Sequence, residues 1–286
     1  MSARPRHSTP KHAYRDAARG PRLHKALADL GAGSRRACER LIEEGRVAVN
    51  GAIIDTSPAW VDPTADRIEV DGHCLTRRGS RAGRTYLMVN KPRAVICTNA
   101  DPEGRRRIID LVPHTQRLFC VGRLDADSSG LVLLTDDGDL AHRLTHPSFG
   151  VDKTYEVTIK GALTPEQIEK LQRGILLTDR RSPGATRVAR SRAAGVEIVR
   201  RDREKTSLRI TLREGRNREI RRMLARQGHR VNRLRRIGIG PLKLKGVASG
   251  QWRALTRPEL SAIRAAARRA GKATAAKKKD KTRATR

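Results

Sequence analysis

Residues 122–138 read GRLDADSSGLVLLTDDG. One apolar strand, predicted over Leu118–Val121, leads into this stretch, and a second, predicted over Leu131–Thr135, leads out of it. The loop between the two strands carries two carboxylates, Asp125 and Asp127. A loop that buried strands hold at both ends can present a reactive carboxylate in a fixed position. The stretch therefore predicts a functional loop within a β-sheet, although a purely connecting polar loop is the plainer alternative.

Further strands and helices are predicted on both sides of this loop. Apolar residues that favour strands occupy Tyr86–Asn90, Thr154–Ile159 and Leu208–Leu212. A capping box at Thr164 predicts the start of one helix, and a second helix is expected from about Arg218 to Gln227. The fold class is therefore mixed α/β, of the α+β kind, with a largely antiparallel sheet in a catalytic domain spanning residues 85–259.

A smaller domain is predicted over residues 22–72. Leucines at helical spacing start at Leu23, Ser34 is placed to cap a second helix, and Asn50-Gly51 is a strong signal for a two-residue hairpin. The segments outside the two domains are expected to be a disordered basic tail over residues 1–21, a basic linker over residues 73–84 and a second disordered basic tail over residues 260–286.

The charge of the chain indicates a polyanionic partner. Lys and Arg number 62 against 30 Asp and Glu, which gives a formal net charge of +32. The ends, residues 1–22 and 264–286, carry +5 and +9, so the part between them still carries +18. Nucleic acid is the expected partner, because basic side chains that neutralise phosphates release counterions. No apolar run approaches the roughly 20 residues of a membrane span, and no secretory signal is evident, so a cytoplasmic location is expected.

The cysteines and histidines do not form a convincing metal site. Four widely spaced cysteines are expected to be reduced structural thiols: Cys38, Cys74, Cys97 and Cys120. His142 and His146 are four residues apart, but no third ligand stands at suitable spacing. The loop acids also imitate part of a calcium-binding loop, although strands flank them and the terminal Glu of such a loop is missing. No metal and no cofactor is expected.

Three segments in order carry a resemblance to a known family. Residues 122–144, GRLDADSSGLVLLTDDGDLAHRL, resemble the signature of the RsuA-like pseudouridine synthases. KTYEV at residues 153–157 and EGRNREIRRM at residues 214–223 resemble the second and third motifs of that family. Residues 90–92, NKP, match its opening strand, although Ala94 stands where a Gly is usual.

The resemblance extends from about Arg22 to Glu259. Residues Arg22–Gly51 resemble the RNA-binding domain of ribosomal protein S-four type that these synthases carry at the N-terminus. Asp101–Arg105 and His146–Ser148 are most similar to the RluB-type branch, which acts on large-subunit ribosomal RNA. The implied reaction isomerises a specific uridine of ribosomal RNA to pseudouridine. The implied enzyme needs no cofactor, no membrane and no obligate protein partner, and is expected to be a monomer.

The resemblance also implies roles for single residues. Asp125 is the nucleophile, Tyr155 stacks on the target base, and Arg221 pairs with the nucleophile. Arg123 fills the space that the flipped nucleotide leaves. The other candidates for substrate binding are Arg216, Asn217, Arg218 and Ile220, and the candidates for RNA binding are Arg22, Lys25, Ser34, Arg35, Arg36 and Lys91.

Alternatives stay open at this point. Tyr155 is also compatible with an ordinary core position, and Arg221 and Arg123 with phosphate contacts. A non-catalytic ribosome-assembly factor, a DNA-binding protein, or the same reaction on small-subunit or transfer RNA would also fit a basic chain. Only 2% of the residues are aromatic, so RNA recognition is expected to rely on phosphates and on RNA shape, with one base extruded.

Overall fold

The computed structural model describes residues 14–76, 83–113, 117–182 and 185–269. The chain divides into two compact units, Met1–Gly83 and Arg84–Arg286. One cluster of buried apolar side chains lies in the first unit, and two such clusters lie in the second. Helices and mostly antiparallel strands make up both units, which confirms the predicted fold class.

The first unit consists of two short helices and a four-stranded antiparallel sheet. Ser34 Oγ accepts the backbone N–H of Ala37 at 3.0 Å and so caps the second helix as predicted. Asn50 and Gly51, with φ angles of 51° and 83°, form the predicted tight turn. The elements are α1 (Leu23–Asp29), α2 (Arg35–Glu43), β1 (Val47–Val49), β2 (Ala52–Ile53), β3 (Ile68–Val70) and β4 (His73–Cys74), with the strands in the order β2-β1-β3-β4.

The prediction of disorder up to residue 21 was wrong. Tyr14 is only 1% exposed, and its hydroxyl donates to the carbonyl oxygen of Val49 at 3.1 Å. A short 3-10 helix, Ala17–Arg19, follows, and Arg19 forms an ion pair with Asp66 at 2.8 Å. The buried ring with its satisfied hydroxyl and the ion pair of Arg19 hold this polar segment, and an isolated ring leaves no periodic pattern in the sequence. Residues 1–13 lie outside the described part of the chain.

The predicted linker also begins too early. Residues His73–Cys74 form strand β4, which pairs with β3. A strand of two residues is too short to give an alternating pattern, so composition alone suggested a linker here. The middle of the predicted linker, residues 77–82, lies outside the described residues.

The second unit is built on a nine-stranded sheet. The main path through it runs β11-β12-β8-β13-β7-β5-β15, with β14 paired to β13 and β6 paired to β7. The pairing of β13 with β7 is parallel, and the other pairings in this sheet are antiparallel. The strands are β5 (Tyr86–Lys91), β6 (Phe119–Val121), β7 (Ser129–Thr135), β8 (Lys153–Lys160), β11 (Gly195–Arg201), β12 (Lys205–Leu212), β13 (Val231–Ile239), β14 (Leu242–Lys243) and β15 (Trp252–Ala254).

Helices and one hairpin surround this sheet. The predicted capping box at Thr164 is present, with Thr164 and Gln167 each accepting the other's backbone N–H. None of the helices in the described residues has the length and apolar character that crossing a membrane requires. The remaining elements are α3 (Gly138–Thr145), α4 (Pro165–Arg173), α5 (Glu219–Ala225), α6 (residues 257–269), the hairpin of β9 (Ile175–Ser182) and β10 (Ala185–Ser191), and the 3-10 helices Ile108–Leu111 and Pro147–Phe149.

Alternating residues of the central strands face two separate apolar clusters. Val132 and Leu134 of β7 face one cluster, and Leu131 and Leu133 face the other. Helices α4 and α5 contribute to the first cluster, and α3 and α6 contribute to the second. Both faces of the sheet are therefore covered, and the strands that carry the loop at residues 122–128 are fixed from both sides.

The prediction of a disordered tail from residue 260 was wrong. Helix α6 runs to residue 269, and Ile263 and Ala267 are 0% and 1% exposed in the second apolar cluster. An isoleucine and an alanine four residues apart form a narrow apolar stripe on a helix. Because Ala and Arg residues surround this stripe, the mean hydropathy of the segment does not reveal it. Residues 270–286 lie outside the described part of the chain.

Candidate active site

The loop with the two predicted acids joins two neighbouring strands of the central sheet. It leaves β6 after Val121 and enters β7 at Ser129. Gly130, the second residue of β7, has a φ of 109°, and a Cβ atom there would lie 2.2 Å from the carbonyl oxygen of Arg236. The parallel pairing of β7 with β13, which places Arg236 beside Gly130, therefore requires glycine at this position.

Short backbone contacts hold the loop. The N–H of Ser128 donates to the carbonyl oxygen of Asp125 at 3.1 Å, which closes a turn around the acid. The N–H of Ala94 donates to the carbonyl oxygen of Ala126 at 2.8 Å, and the N–H of Leu124 donates to Sγ of Cys97 at 3.4 Å. The residues on both sides of Asp125 are thus tied to the segment after β5, and the Asp125 side chain remains 32% exposed. A held backbone with an accessible carboxylate suits a nucleophile.

Two arginines face the acids of this loop. Nη1 of Arg218 lies 3.7 Å from Oδ2 of Asp125, and Nη2 of Arg218 lies 3.0 Å from Oδ2 of Asp127. Nη2 of Arg221 lies 3.3 Å from Oδ2 of Asp127 and 3.3 Å from its carbonyl oxygen, while its Nη1 donates to the carbonyl of Val231 at 3.0 Å. Two guanidinium groups this close to the acids would repel a calcium ion, which disfavours the calcium alternative.

The pKa values of Asp127 and Arg221 are both lower than usual, but for different reasons. Burial by itself would raise the pKa of Asp127, but the hydrogen bond from Arg218 and the charges of Arg221 and Arg218 outweigh it and hold the pKa below its usual value. Burial lowers the pKa of Arg221, although the charges of Asp127 and Asp125 oppose this. Since an arginine keeps its proton at any physiological pH, Arg221 remains charged.

The predicted partner of Asp125 differs from the observed one. The resemblance implied that Arg221 pairs with Asp125, whereas Arg221 contacts Asp127 and Arg218 is the cation beside Asp125. Arg218 is the residue before α5, has a φ of 47°, and contacts both loop acids with its side chain. Arg221 lies nearly one helical turn later, its side chain only 12% exposed. Both arginines therefore belong to the site, with different partners.

Tyr155 lies close to the loop across the sheet. It pairs with Arg236 on the neighbouring strand β13, and Arg236 in turn pairs with Gly130 on β7. Three adjacent strands thus bring Tyr155 to the level of the end of the acidic loop, about 10 Å away between backbones. Tyr155 is 7% exposed and belongs to the same apolar cluster as Leu124 and Ile220. The position suits a ring that forms one wall of a base pocket.

The remaining substrate candidates surround α5 and the loop. Arg123, Asn217 and Arg218 are exposed, and Arg216 is half-buried, with Nε donating to Glu214 at 2.8 Å. Ile220 is 3% exposed and belongs to the same apolar cluster as Tyr155 and Leu124. Arg123 and Asn217 are exposed to solvent and can meet RNA, and Arg218 can do so beside its ion pairs with the loop acids. Ile220 can act only through the shape of the pocket wall.

The candidates for RNA binding in the first unit lie on its two helices. Arg22, Arg35 and Arg36 are exposed, and Arg22 lies over the ring of Trp60 with 5.9 Å between guanidinium carbon and ring centroid. Lys25 is half-buried, 4.0 Å from the carboxylate of Asp29. The hydroxyl of Ser34 accepts the cap hydrogen bond described above, which leaves its own proton for another acceptor.

The prediction that Lys91 binds RNA was wrong. Lys91 is 0% exposed, and its ammonium group donates to the carbonyl oxygens of Pro92 at 2.9 Å and Val95 at 2.5 Å. Burial lowers the pKa of Lys91. The lysine therefore holds the turn after β5, to which the acidic loop is hydrogen-bonded. A lysine before proline in a basic chain gave no sequence signal of burial.

Three residues next to the loop were missed as site components, one of them buried and two of them half-buried. Arg236 is 2% exposed, and its Nε donates to the carbonyl of Leu131 at 2.7 Å. Cys97 accepts the N–H of Leu124, as described above, and the side chain of Cys120 is hydrogen-bonded to Cys97. Arg236 lies in the stretch VNRLRRIGI, where four of nine residues are apolar aliphatics placed at irregular intervals, so neither the strand nor the burial is evident from its pattern.

Comparisons with known proteins identify this arrangement. The sequence profile described as RNA pseudouridylate synthase matches residues 85–226, and the S4 domain profile matches residues 21–57. The ribosomal large subunit pseudouridine synthase B of Bacillus subtilis (strain 168) is 38% identical over 247 residues, which cover 86% of this chain and 96% of that protein.

A second relative and a solved structure are also similar to this chain. An uncharacterized RNA pseudouridine synthase of Aquifex aeolicus (strain VF5) is 36% identical over 244 residues, 85% of this chain and 93% of that protein. A solved structure, described as the crystal structure of pseudouridylate synthase, superimposes with a TM-score of 0.59 at 30% identity and covers 85% of this chain and 100% of its own. The chain therefore belongs to the RNA pseudouridylate synthase family, with an S4 domain ahead of the synthase domain.

Proposed function

We propose that this protein converts a specific uridine of large-subunit ribosomal RNA to pseudouridine, with Asp125 as the nucleophile. The observation that carries the proposal is the position of Asp125, a partly exposed carboxylate on a backbone tied down on both sides and faced by Arg218. Family membership supports the reaction, and the name of the relative from Bacillus subtilis supports the large-subunit substrate.

The reaction requires a carboxylate at the glycosidic bond. The bond between the ribose anomeric carbon and N1 of uracil breaks, the base turns, and the same ribose carbon bonds to C5, which gives up its proton. Attack on the ribose, attack on the base and a glycal route all require Asp125 to be ionised. Arg218 compensates the negative charge of Asp125 at 3.7 Å, and Arg221 fixes the neighbouring Asp127.

Tyr155 has two proposed tasks. Its ring stacks on the flipped uracil, and its hydroxyl assists the removal of the proton from C5. The support is its position on β8, level with the end of the loop, among the apolar side chains that include Leu124 and Ile220. An apolar wall on one side and carboxylates on the other would hold the base while excluding water.

The RNA backbone is proposed to contact basic and polar side chains of both domains. Arg123 would fill the space of the flipped nucleotide, Arg216, Asn217 and Arg218 would contact the target strand, and Arg22, Lys25, Ser34, Arg35 and Arg36 of the S4 domain would hold the adjoining RNA. Asp125, Tyr155 and Arg221 all come from the second unit of one chain, so a monomer suffices. We also propose a cytoplasmic location, because ribosomal RNA of the relatives' kind is made there.

Mapping of pseudouridines in cellular RNA tests the substrate. Carbodiimide-based mapping would compare RNA from cells with the gene, without it, and with the gene restored as wild type or as Asp125→Asn. The proposal predicts one lost position in large-subunit RNA that wild type restores and Asp125→Asn does not. A lost position in small-subunit or transfer RNA would overturn the substrate. No lost position in any of these RNAs would favour a non-catalytic assembly factor.

A further inference from the structure

Two thiols lie directly beneath the catalytic loop and take no part in the proposed reaction. Cys97 follows the turn after β5, and Cys120 is the middle residue of β6. Both are half-buried, and their side chains are hydrogen-bonded to each other. Sγ of Cys97 also accepts the N–H of Leu124 at 3.4 Å, one residue before the nucleophile. The thiol pair is thus connected by one hydrogen bond to the backbone that positions Asp125.

Two buried cations lie near this pair of thiols. Lys91 and Arg236 are 0% and 2% exposed, and their hydrogen bonds run to backbone carbonyl oxygens of Pro92, Val95 and Leu131. One further nitrogen of Arg236, Nη2, is buried without a hydrogen-bond partner in the described structure. Buried cations are costly unless an anion compensates them. The thiolate of Cys97 is an anion that both of these cations attract.

The pKa values of the two thiols shift in opposite directions. The hydrogen bond from Cys120 lowers the pKa of Cys97 to about 6 against the effect of burial, with further support from the N–H of Leu124, Lys91 and Arg236. The same hydrogen bond and burial raise the pKa of Cys120, although Arg236 and Arg123 oppose this. The N–H of Leu124 donates to Cys97 at 3.4 Å, so the negative charge is better stabilised on Cys97 than on Cys120.

We propose that Cys97 and Cys120 form a peroxide-sensitive modification site whose oxidation to a disulfide switches off the catalytic loop. The geometry that carries this is the contact between the two side chains, the buried cations beside them and the hydrogen bond to Leu124. The site takes small peroxides, with hydrogen peroxide as the simplest member of that class.

The oxidation balances without a further reactant. The thiolate of Cys97 attacks one oxygen of hydrogen peroxide, the O–O bond breaks, and the departing hydroxide takes a proton to become water. Cys97 is then a sulfenic acid. The sulfur of Cys120 attacks the sulfur of Cys97, a disulfide forms, and the hydroxyl group leaves as water with the proton of Cys120. Two thiols are oxidised by two electrons, and one peroxide is reduced to two waters.

The disulfide removes two supports of the loop at once. Sγ of Cys97 ceases to be an anion, so its hydrogen bond from Leu124 weakens. Lys91 and Arg236 lose a compensating charge. Both changes act on the segment that ends in Asp125, and the rate of isomerisation is therefore expected to fall on oxidation and to recover when a thiol reductant restores the pair.

Labelling of the full-length wild-type protein tests the thiolate directly. Iodoacetamide alkylation of the Cys97 peptide would be followed by mass spectrometry from pH 5 to pH 9, with exposed Cys74 as the internal comparison. An ordinary thiol of pKa about 8.5 is only about 3% ionised at pH 7, so its rate rises about tenfold per pH unit up to pH 8. The rate at Cys97 is expected to level off above pH 7. A rate at Cys97 that climbs tenfold per unit through pH 8 would overturn the proposal.

A peroxide experiment tests the disulfide and its consequence. After brief peroxide treatment, a non-reducing digest is expected to contain a cross-linked peptide pair of Cys97 and Cys120, and activity is expected to fall and to return with reductant. Cys120→Ser should instead stop at a sulfenic acid on Cys97 that dimedone traps, and Cys74→Ser should behave as wild type. A Cys97 that stays a free thiol, or a cross-linked protein with full activity, would contradict the proposal whatever the RNA substrate is.

Discussion

Nη1 of Arg218 lies 3.7 Å from Oδ2 of Asp125, whereas Arg221 contacts the neighbouring acid Asp127 at 3.3 Å. The two arginines thus have different contacts at the loop. Arg218, 44% exposed, lies beside Asp125, the proposed nucleophile, and Arg221, 12% exposed, binds the loop backbone and the carbonyl of Val231. A mutation at each position should therefore have a different signature.

Arg218→Gln is expected to lower kcat with little change in Tm, because it removes the cation nearest the nucleophile from an exposed position. Arg221→Gln is expected to lower kcat and also to destabilise the fold by about 1–2 kcal/mol, since it leaves buried carbonyl oxygens without a donor. Turnover assays and thermal unfolding of both variants separate these effects. Full activity of Arg218→Gln beside an inactive, fully stable Arg221→Gln would show that Arg221 is the partner of Asp125 during the reaction.

Tyr155→Phe keeps the ring and removes the hydroxyl proposed to assist proton removal from C5. Its kcat is expected to fall about 10²-fold or more, the usual size of a lost general acid–base group. RNA affinity and Tm should stay close to wild type, because the ring still fills its place in the apolar cluster. Tyr155→Ala serves as the comparison and should lose stability as well. If Tyr155→Phe turns over as fast as wild type, the hydroxyl has no chemical role.

Gly130→Ala tests the close approach of β7 and β13. The added Cβ would lie 2.2 Å from the carbonyl oxygen of Arg236, at a φ of 109° that other residues avoid. We expect a loss of about 3 kcal/mol in unfolding free energy, from backbone strain and forced separation of the strands. Gly195→Ala is the matched control, because nothing lies within 4 Å of its Cβ position. Equal denaturant midpoints for the two variants would contradict this explanation.

The ion pair of Glu259 predicts a dependence of stability on acid. Its carboxylate is bonded by Arg253 at 2.7 Å and by the N–H of Thr256 at 2.9 Å, at the beginning of α6. The hydrogen bond from Arg253 chiefly lowers the pKa of Glu259 to about 2, below the value of about 4.3 in an unfolded chain. The resulting stability is present above the unfolded pKa and is lost as the pH falls through the folded pKa.

Because the side chain is a quarter exposed and solvent screens the pair, the contribution is discounted to about 1 kcal/mol at neutral pH. Glu259→Gln should therefore unfold more easily than wild type at pH 6, and the difference should shrink to about half at pH 3. Urea unfolding at both pH values measures it, and adding Arg253→Gln to Glu259→Gln should cost little more. A difference that stays constant between pH 6 and pH 3 would refute the ionic origin.

Much of the fold was predictable because its signals are local. The caps at Ser34 and Thr164, the Asn50-Gly51 turn and the strands around the acidic loop all involve residues close in sequence. The missing parts depend on long-range packing. Strand β13 has the sequence VNRLRRIGI and reads as a charged segment until the sheet encloses Arg236. Tyr14 and the stripe of Ile263 and Ala267 are likewise ordered only by distant partners.

The site was predictable to a similar extent. The positions of Asp125, Tyr155 and Arg221 came from motifs, and the structure brings their strands and helix together. The partner of Asp125 depends on the φ of 47° at Arg218, which no motif encodes. The burial of Lys91 and the contact of Cys97 with Leu124 depend on where the turn after β5 meets the loop. The contact of Cys97 with Leu124 joins residues 27 positions apart, beyond the reach of local patterns.

The most direct test of the central claim is tritium release from ribosomal RNA labelled at C5 of uridine, measured with wild type and with Asp125→Asn. The amide is nearly the same size as the carboxylate but cannot act as the nucleophile, so we expect release by wild type and none above background by the variant. RNA affinity, measured in parallel, should be kept because the basic surface is unchanged. Tritium release by Asp125→Asn at a rate comparable to wild type would contradict the assignment of Asp125 as the nucleophile.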